Sequence, residues 1–285
     1  MGVLLPAQDL QQARDALQAR DTAKAIEIAR HGLEHGESAE LHNLLGKAYA
    51  MSGQPDKAVS ELNSAIRLQP DNEGFRFDMA QFLLNRQDFG AATAALESAQ
   101  KRLPRSPQVE LALGVAYYGQ VRYDDAVQAF LKTIDLAPDV PQPYLFLGRM
   151  LEHARSHLRE IITKCAVSER SDPLNPYAPW LRAKAIIAQL GMADWDDNAR
   201  EAVRLLEKAI ALKGDSADAY FELGCLMDRK KDYPRAAGLL EKSIQLKAGD
   251  PVAHYRLARV YLQLGMKEQA SAEFALHERL RRAGP

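Results

Sequence analysis

The sequence predicts an all-α chain, an α-solenoid built from about eight helical hairpins. Three observations carry that expectation. Small residues stand beside bulky ones at one fixed interval: Leu45-Gly46, Met79-Ala80, Leu113-Gly114 and Leu147-Gly148. Ala58, Ala92 and Ala126 keep the same beat, as do Pro70, Pro104 and Pro138. Aromatics make up only 7% of the chain, while Ala and Leu are plentiful, a composition that favours helix. A length of 285 would suggest one large or two ordinary domains, but divided by the interval it gives about 8.4 short units.

One unit can be justified residue by residue. A bulky residue follows each small one by three positions: Tyr49, Leu83, Tyr117 and Leu151. That spacing marks one face of a helix, and the small residue lets a second helix approach closely. Turn residues follow, as in Ser52-Gly53-Gln54-Pro55-Asp56 and Asn85-Arg86-Gln87-Asp88. A second helix then presents Ala, an apolar residue and Ala at i, i+4 and i+7: Ala58, Leu62, Ala65, then Ala92, Leu96, Ala99. Proline stops it near the end of the unit. Each unit is thus an antiparallel hairpin with an incomplete core, which its neighbour completes.

In order, the units are expected at 6–38, 39–72, 73–106, 107–140, 141–176, 177–216, 217–250 and 251–285. They group as a degenerate capping repeat within 1–38, three regular units over 39–140, two irregular units with insertions over 141–216, and two units with a C-terminal cap over 217–285. In the first unit Gln12, Ala13 and Ala16 stand where stronger packing residues belong, as in a cap whose outer face meets water. The step from Gly148 to Gly224 exceeds two intervals by eight positions. Two of the surplus positions are assigned to the fifth unit and six to the sixth. Glu152 to Ile162 reads as almost continuous helix, with Ser156 the plausible N-cap. The sixth unit holds an Asp-rich turn, Leu190 to Asn198, with Trp195, one of two tryptophans. Segment 173–180 is dense in proline and reads as a longer turn between units, with a hinge as the alternative. The beat resumes at Leu223-Gly224 and Leu257-Ala258, with Ala236, Leu240, Ala270 and Phe274. The closing Glu278-Arg279-Leu280-Arg281-Arg282 reads as a solvated basic helix end that complements the helix dipole.

This pattern resembles the tetratricopeptide repeat (TPR) family. The unit Ala39 to Asn72 has the small residue at its eighth position, alanines at the twentieth and twenty-seventh, and proline at the thirty-second. The resemblance implies a right-handed superhelix whose first helices line a concave groove for an extended peptide or a helix. It implies that the second, fifth, ninth, twelfth and thirteenth positions face the ligand. Here these include Asn43, Lys47, Phe77, Gln81, Asn85, Leu111, Val115, Tyr118, Leu145, Arg149 and His153. Further along come Phe221, Arg229, Tyr255 and Arg259, with Arg256 beside them. Phe77, Leu111, Val115, Tyr118 and Leu145 would form an apolar stripe, and a peptide or helix partner would give it a reason. Shielding by a tightly curled superhelix, or by a terminal segment, is the alternative. Arg149, Arg229, Arg256 and Arg259 make the later groove partly basic, with Glu152, Asp218, Glu222 and Asp228 in compensation. The two-carboxylate clamp that some family members use for chaperone termini is not matched. Asn43 and Lys47 stand in reverse order, Asp78 would repel a carboxylate, and Gln108 and Ala112 replace the cations of the third unit. Trp195 is either a partner anchor or the cover of its own loop.

Charge excludes other classes. With 37 basic and 38 acidic residues, the net charge of −1 argues against binding nucleic acid or anionic membrane by bulk charge. No apolar run approaches the length that spans a bilayer. The start, Met1-Gly2-Val3-Leu4-Leu5-Pro6, lacks the charged and apolar regions of an intact signal peptide, and Pro6 stands where myristoylation wants Ser or Thr. A cytoplasmic location is therefore expected, or a periplasmic or exported one if a signal peptide was removed. Cys165 and Cys225 give neither a disulfide framework nor a CxxC motif, and read as packed residues. No nucleotide-binding glycine loop, HExxH or GxSxG is present, so no catalytic residues are expected. His153 and His157 lack a third ligand, and Asp194, Asp196 and Asp197 lack EF-hand spacing, so neither metal nor cofactor is expected. The expected function is a non-catalytic scaffold that binds a protein or peptide partner in its groove. The alternative is a structural subunit of a larger assembly, contacted through the convex face or the 173–198 insertion. Partner identity and oligomeric state stay open.

Overall fold

The computed structural model describes residues 5–190 and 195–283. Among these residues the chain forms sixteen α-helices and one short 3-10 turn, with no strand. It divides into two compact units, Met1–Ala129 and Phe130–Pro285.

In the first unit α1 (Leu5–Gln18) pairs with α2 (Thr22–Glu34), α3 (Ala39–Met51) with α4 (Pro55–Leu68), and α5 (Glu73–Asn85) with α6 (Phe89–Arg102). α7 (Pro107–Gly119) and the start of α8 (Tyr123–Leu136) complete it. The starts at Ala39, Glu73 and Pro107 repeat the interval read from the sequence. Polar side chains cap most of these helices. Ser38 accepts from the Leu41 N–H, Asp88 from Ala91 and Ser106 from Val109, each satisfying a donor with no partner inside its helix. Leu41, Leu45, Tyr49, Leu62, Met79 and Phe82 form one core, and Ala80, Leu96, Val109 and Leu113 another. A Cβ added to Gly46 would lie 2.7 Å from Leu62, which is why this beat needs a small residue.

The turns inside the hairpins share one device. The residue at φ near 60–76° recurs as Gly53, Gln87, Val121, Lys231 and Gly265. The next N–H reaches back to the bulky residue three beyond the small one: Gln54 to the Tyr49 carbonyl at 2.9 Å, Asp88 to Leu83 at 2.9 Å, and Arg122 to Tyr117 at 2.9 Å. This is the Schellman closure, which suits glycine because a side chain crowds the left-handed backbone. Val121 is β-branched and therefore the most strained occupant. Val121→Gly is expected to raise stability by about 1 kcal/mol, read as a higher urea midpoint with an unchanged slope.

The second unit begins with the remainder of α8. It continues through α9 (Gln142–Arg149), a 3-10 turn at Arg155–His157, α10 (Leu158–Ser171), α11 (Tyr177–Gln189) and α12 (Trp195–Leu212). α13 (Ala217–Arg229), α14 (Tyr233–Leu246), α15 (Pro251–Gln263) and α16 (Lys267–Ala283) end it. The expected continuous helix over Glu152–Ile162 is not formed. α9 stops after eight residues, against thirteen in the first helices α3, α5 and α7, and α10 starts only at Leu158. Ser156 lies inside the 3-10 turn and caps nothing; His157 is the N-cap residue and makes no side-chain cap bond. The reason is packing: Met150, Leu151 and Ala154 are buried, so the turn takes a place in the core that a straight helix would leave empty.

From Tyr177 of α11 to Ala217 of α13, the helix starts are six positions further apart than the regular interval. Four of the six lengthen α12 to 18 residues, against 14 in α14. Segment 173–180 holds an ordered turn followed by the first residues of α11. The buried Asn175 amide donates to the Pro138 carbonyl, and its Oδ1 accepts from the Tyr177 N–H at 2.7 Å. Tyr144, with no exposure, donates to the same carbonyl at 2.8 Å and sits 2.6 Å from the Ser168 hydroxyl. Among the described residues no helix is long and apolar enough to cross a membrane.

Candidate functional site

In the first unit the first helices α3, α5 and α7 lie side by side. Phe77, Gln81 and Asn85 stand on α5, and Leu111, Val115 and Tyr118 on α7. Helical spacing puts each trio on one face. Phe77, Leu111 and Val115 are half-buried, while Tyr118 is 36% exposed and Gln81 and Asn85 are exposed. Phe77 packs against the core that Ala80, Leu96, Val109 and Leu113 form, while Leu111, Val115 and Tyr118 each keep part of their surface open. Asn43 and Lys47 differ from the expectation of free ligand-facing groups. Asp78 accepts from both, at 2.7 Å each, and Asn43 is only 7% exposed. A carboxylate placed between α3 and α5 has drawn in the amide and the ammonium, which makes them structural. Next to Tyr118, the Tyr117 hydroxyl donates to Glu97 at 3.0 Å. Burial, with Glu97 as acceptor, pushes its pKa up to about 12, so it stays a donor and links α7 to α6.

In the second unit Leu145 is half-buried on α9, and Arg149 is exposed at that helix's end. Arg149 borders a pocket of about 310 Å³. The others lining it are Gly148, Leu151, Glu152 and Arg155 from the α9 end and its turn, Lys184, Ile187 and Ala188 from α11, and Glu222 from α13. The pocket lies at the end of α9, the first helix that breaks off early. Lys184 pairs with Glu222 at 2.9 Å and stands 5.5 Å over the Trp180 ring. That ring is buried against Gly148, where a Cβ would come within 2.2 Å of it. Cys225 is partly covered on α13, and burial, with Glu222 nearby, pushes its thiol up to about 12, so it is a neutral packing group.

On α15 Arg256 is half-buried and Arg259 exposed, alongside the exposed Val252, Tyr255 and Leu262. Trp195 begins α12, and its side chain lies outside the described residues, as does Asp194. His153 and His157 do not share a helical face, since one sits in the turn after α9 and the other in the 3-10 turn. Among the described residues no three His, Cys, Asp or Glu side chains are arranged to hold a metal ion.

Leu151, Arg155, Lys184 and Ile187 were not among the positions that repeat spacing points to. In α11 those positions hold Ala178, Leu181 and Ala185, all buried, then Ala188 and Gln189, both exposed, of which Ala188 lines the pocket. The one signal was the slip of eight positions between Gly148 and Gly224.

A family model described as tetratricopeptide repeat matches residues 10–73, 77–141 and 196–251, and a second of that description matches 229–279. The chain is 23% identical over 198 residues to anaphase-promoting complex subunit 3 of Schizosaccharomyces pombe, covering 70% of this chain and 29% of that protein. It is 25% identical over 168 residues to DnaJ homolog subfamily C member 3 of Gallus gallus, covering 53% and 33%. The chain thus spans about a third of the length of these curated relatives. Among solved structures, the APC/C hetero-tetramer Cut9–Hcn1 matches with a TM-score of 0.58 at 16% identity, over 91% of this chain and 50% of that one. Yeast Tom70 matches with 0.56 at 22% identity, over 92% and 55%. At these identities the likeness is one of fold.

Proposed function

Because the chain belongs to the tetratricopeptide repeat family, we propose that it is a non-catalytic scaffold that binds a protein partner on the first-helix face of its first unit. The observation that carries this is the apolar set Phe77, Leu111, Val115 and Tyr118, which the fold leaves partly open with Gln81 and Asn85 beside it. A set of partly open apolar side chains rimmed by polar ones is the kind of surface that marks an interaction site. An extended peptide or an amphipathic helix would cover them, and the exposed amides would meet its backbone. The helices are already in place, so binding orders only the ligand. Relatives that include a subunit of the anaphase-promoting complex and a protein crystallised within a hetero-tetramer support a role in assemblies.

The test is a quantitative pull-down from the native source with wild type and Tyr118→Glu. A charge in an apolar contact is expected to weaken capture at least about tenfold. Equal recovery of the same partners, with unchanged circular dichroism, would overturn the reading. A second reading, a subunit contacted through the 173–198 segment, has one observation in its favour: Leu174 is 77% exposed in the turn after α10. Leu174→Glu would then abolish capture while Tyr118→Glu would leave it intact.

A further inference from the structure

We propose that the pocket at the end of α9 binds a carboxylate carried on a short aliphatic stem. Arg149 and Arg155 reach it from either side of the turn that truncates α9. Among the described residues neither guanidinium has an ion-pair or hydrogen-bond partner. Each is an unpaired guanidinium on a residue that lines the cavity, and each can meet an oxyanion with two parallel N–H donors. Lys184 adds a third cation, but Glu222 already holds it. The lining also carries Glu152. The five charged side chains sum to one net positive charge, three basic against two acidic. That balance suits a single negative charge and disfavours a phosphate dianion, which the two glutamates would repel. Gly148, Leu151, Ile187 and Ala188 supply apolar wall for the stem. A volume of about 310 Å³ admits one side chain or one small acid and excludes a folded element.

The site is independent of the apolar face in the first unit. It also differs from the two-carboxylate clamp. Arg155 belongs to a turn that a regular hairpin lacks, and Leu145, Asp218 and Glu222 occupy positions where that clamp places cations.

The test uses the full chain and calorimetric titration with four probes: butyrate, acetyl-Ala-Glu-Ala-amide, its Gln counterpart, and its phosphoserine counterpart. The expected result is saturable binding of butyrate, the Glu peptide or both, with affinity falling as salt rises. The Gln peptide is expected to bind at least about tenfold more weakly, the loss of one charge-assisted contact. Arg149→Gln and Arg155→Gln should each produce a comparable loss, and Glu152→Gln should strengthen binding by removing a repulsion. Butyrate alone would identify a free small acid, and the Glu peptide alone a side chain of a bound polypeptide; either supports the proposal. Saturable binding of the Glu and Gln peptides with equal affinity, tighter binding of the phosphopeptide, or full affinity in an Arg149→Gln/Arg155→Gln double variant that melts like wild type would overturn it. So would the absence of binding by all four probes to folded wild type.

Discussion

Replacing Gly148 by alanine is expected to destabilise the second unit by about 2–3 kcal/mol, the range of an overpacked core. The new Cβ would sit 2.2 Å from the edge of the Trp180 ring, well inside contact distance. The ring cannot swing clear, because it is buried, and Lys184 lies over it while paired to Glu222. On helix propensity alone the same change should stabilise by about 1 kcal/mol, so the sign tests the packing. Gly238 is the internal control. It stands inside α14 with nothing within 4 Å of an added Cβ, and Gly238→Ala should follow propensity and stabilise. Urea unfolding of both variants, with Trp180→Leu added to the Gly148 variant, gives the answer. If the clash is the cause, the smaller side chain recovers part of the loss. A Gly148→Ala protein as stable as wild type would mean that Trp180 is not held as described.

Truncating Tyr144 should have a still larger effect. Tyr144→Ala is expected to cost about 3–5 kcal/mol, since it empties a fully buried aromatic site. Tyr144→Phe should cost about 1–2 kcal/mol, because it removes the hydroxyl alone. That hydroxyl donates to the Pro138 carbonyl and accepts from the Ser168 hydroxyl. Burial raises its pKa beyond the ordinary tyrosine range, so it remains protonated and able to donate. In Tyr144→Phe the Pro138 carbonyl keeps its Asn175 donor, while the Ser168 hydroxyl loses its acceptor within the core. The ring of Tyr144 also stacks on Tyr177 at 6.4 Å, joining α9 to α11. Unfolding followed by circular dichroism should rank wild type above Phe and Phe above Ala. Equality of Phe and wild type would show that the buried bonds contribute nothing net.

The regular part of this chain could be read from its residues because each hairpin carries its own instructions. Gly46, Ala58, Leu62 and Pro70 specify a close helix pair and its end, and Ala80, Ala92, Leu96 and Pro104 specify the next. Helical periodicity puts Leu111, Val115 and Tyr118 on one side of α7, where each keeps part of its surface open, whereas Phe77 on α5 packs against the core. The turn device was half visible. Gly53 announces it, but Gln87 and Val121 adopt the same left-handed backbone with no glycine to signal it. There the closing bond and the packed helices on either side impose what local preference would refuse.

What only the tertiary structure decided lies where one residue's role depends on another far along the chain. Asn43 and Lys47 look like free polar groups until Asp78, on the next hairpin, takes both. Glu152 to Ile162 has local helix preference, yet Met150, Leu151 and Ala154 are worth more in the core than a continued helix would be. That break opens the pocket beside Arg149 and Arg155, and Lys184 and Glu222 reach it from helices one and two hairpins away. Local sequence sets periodicity, caps and turns, because those energies act within one turn of helix. Pairing between distant side chains, and the choice of which segment fills a gap, are settled only by competition for the same buried space.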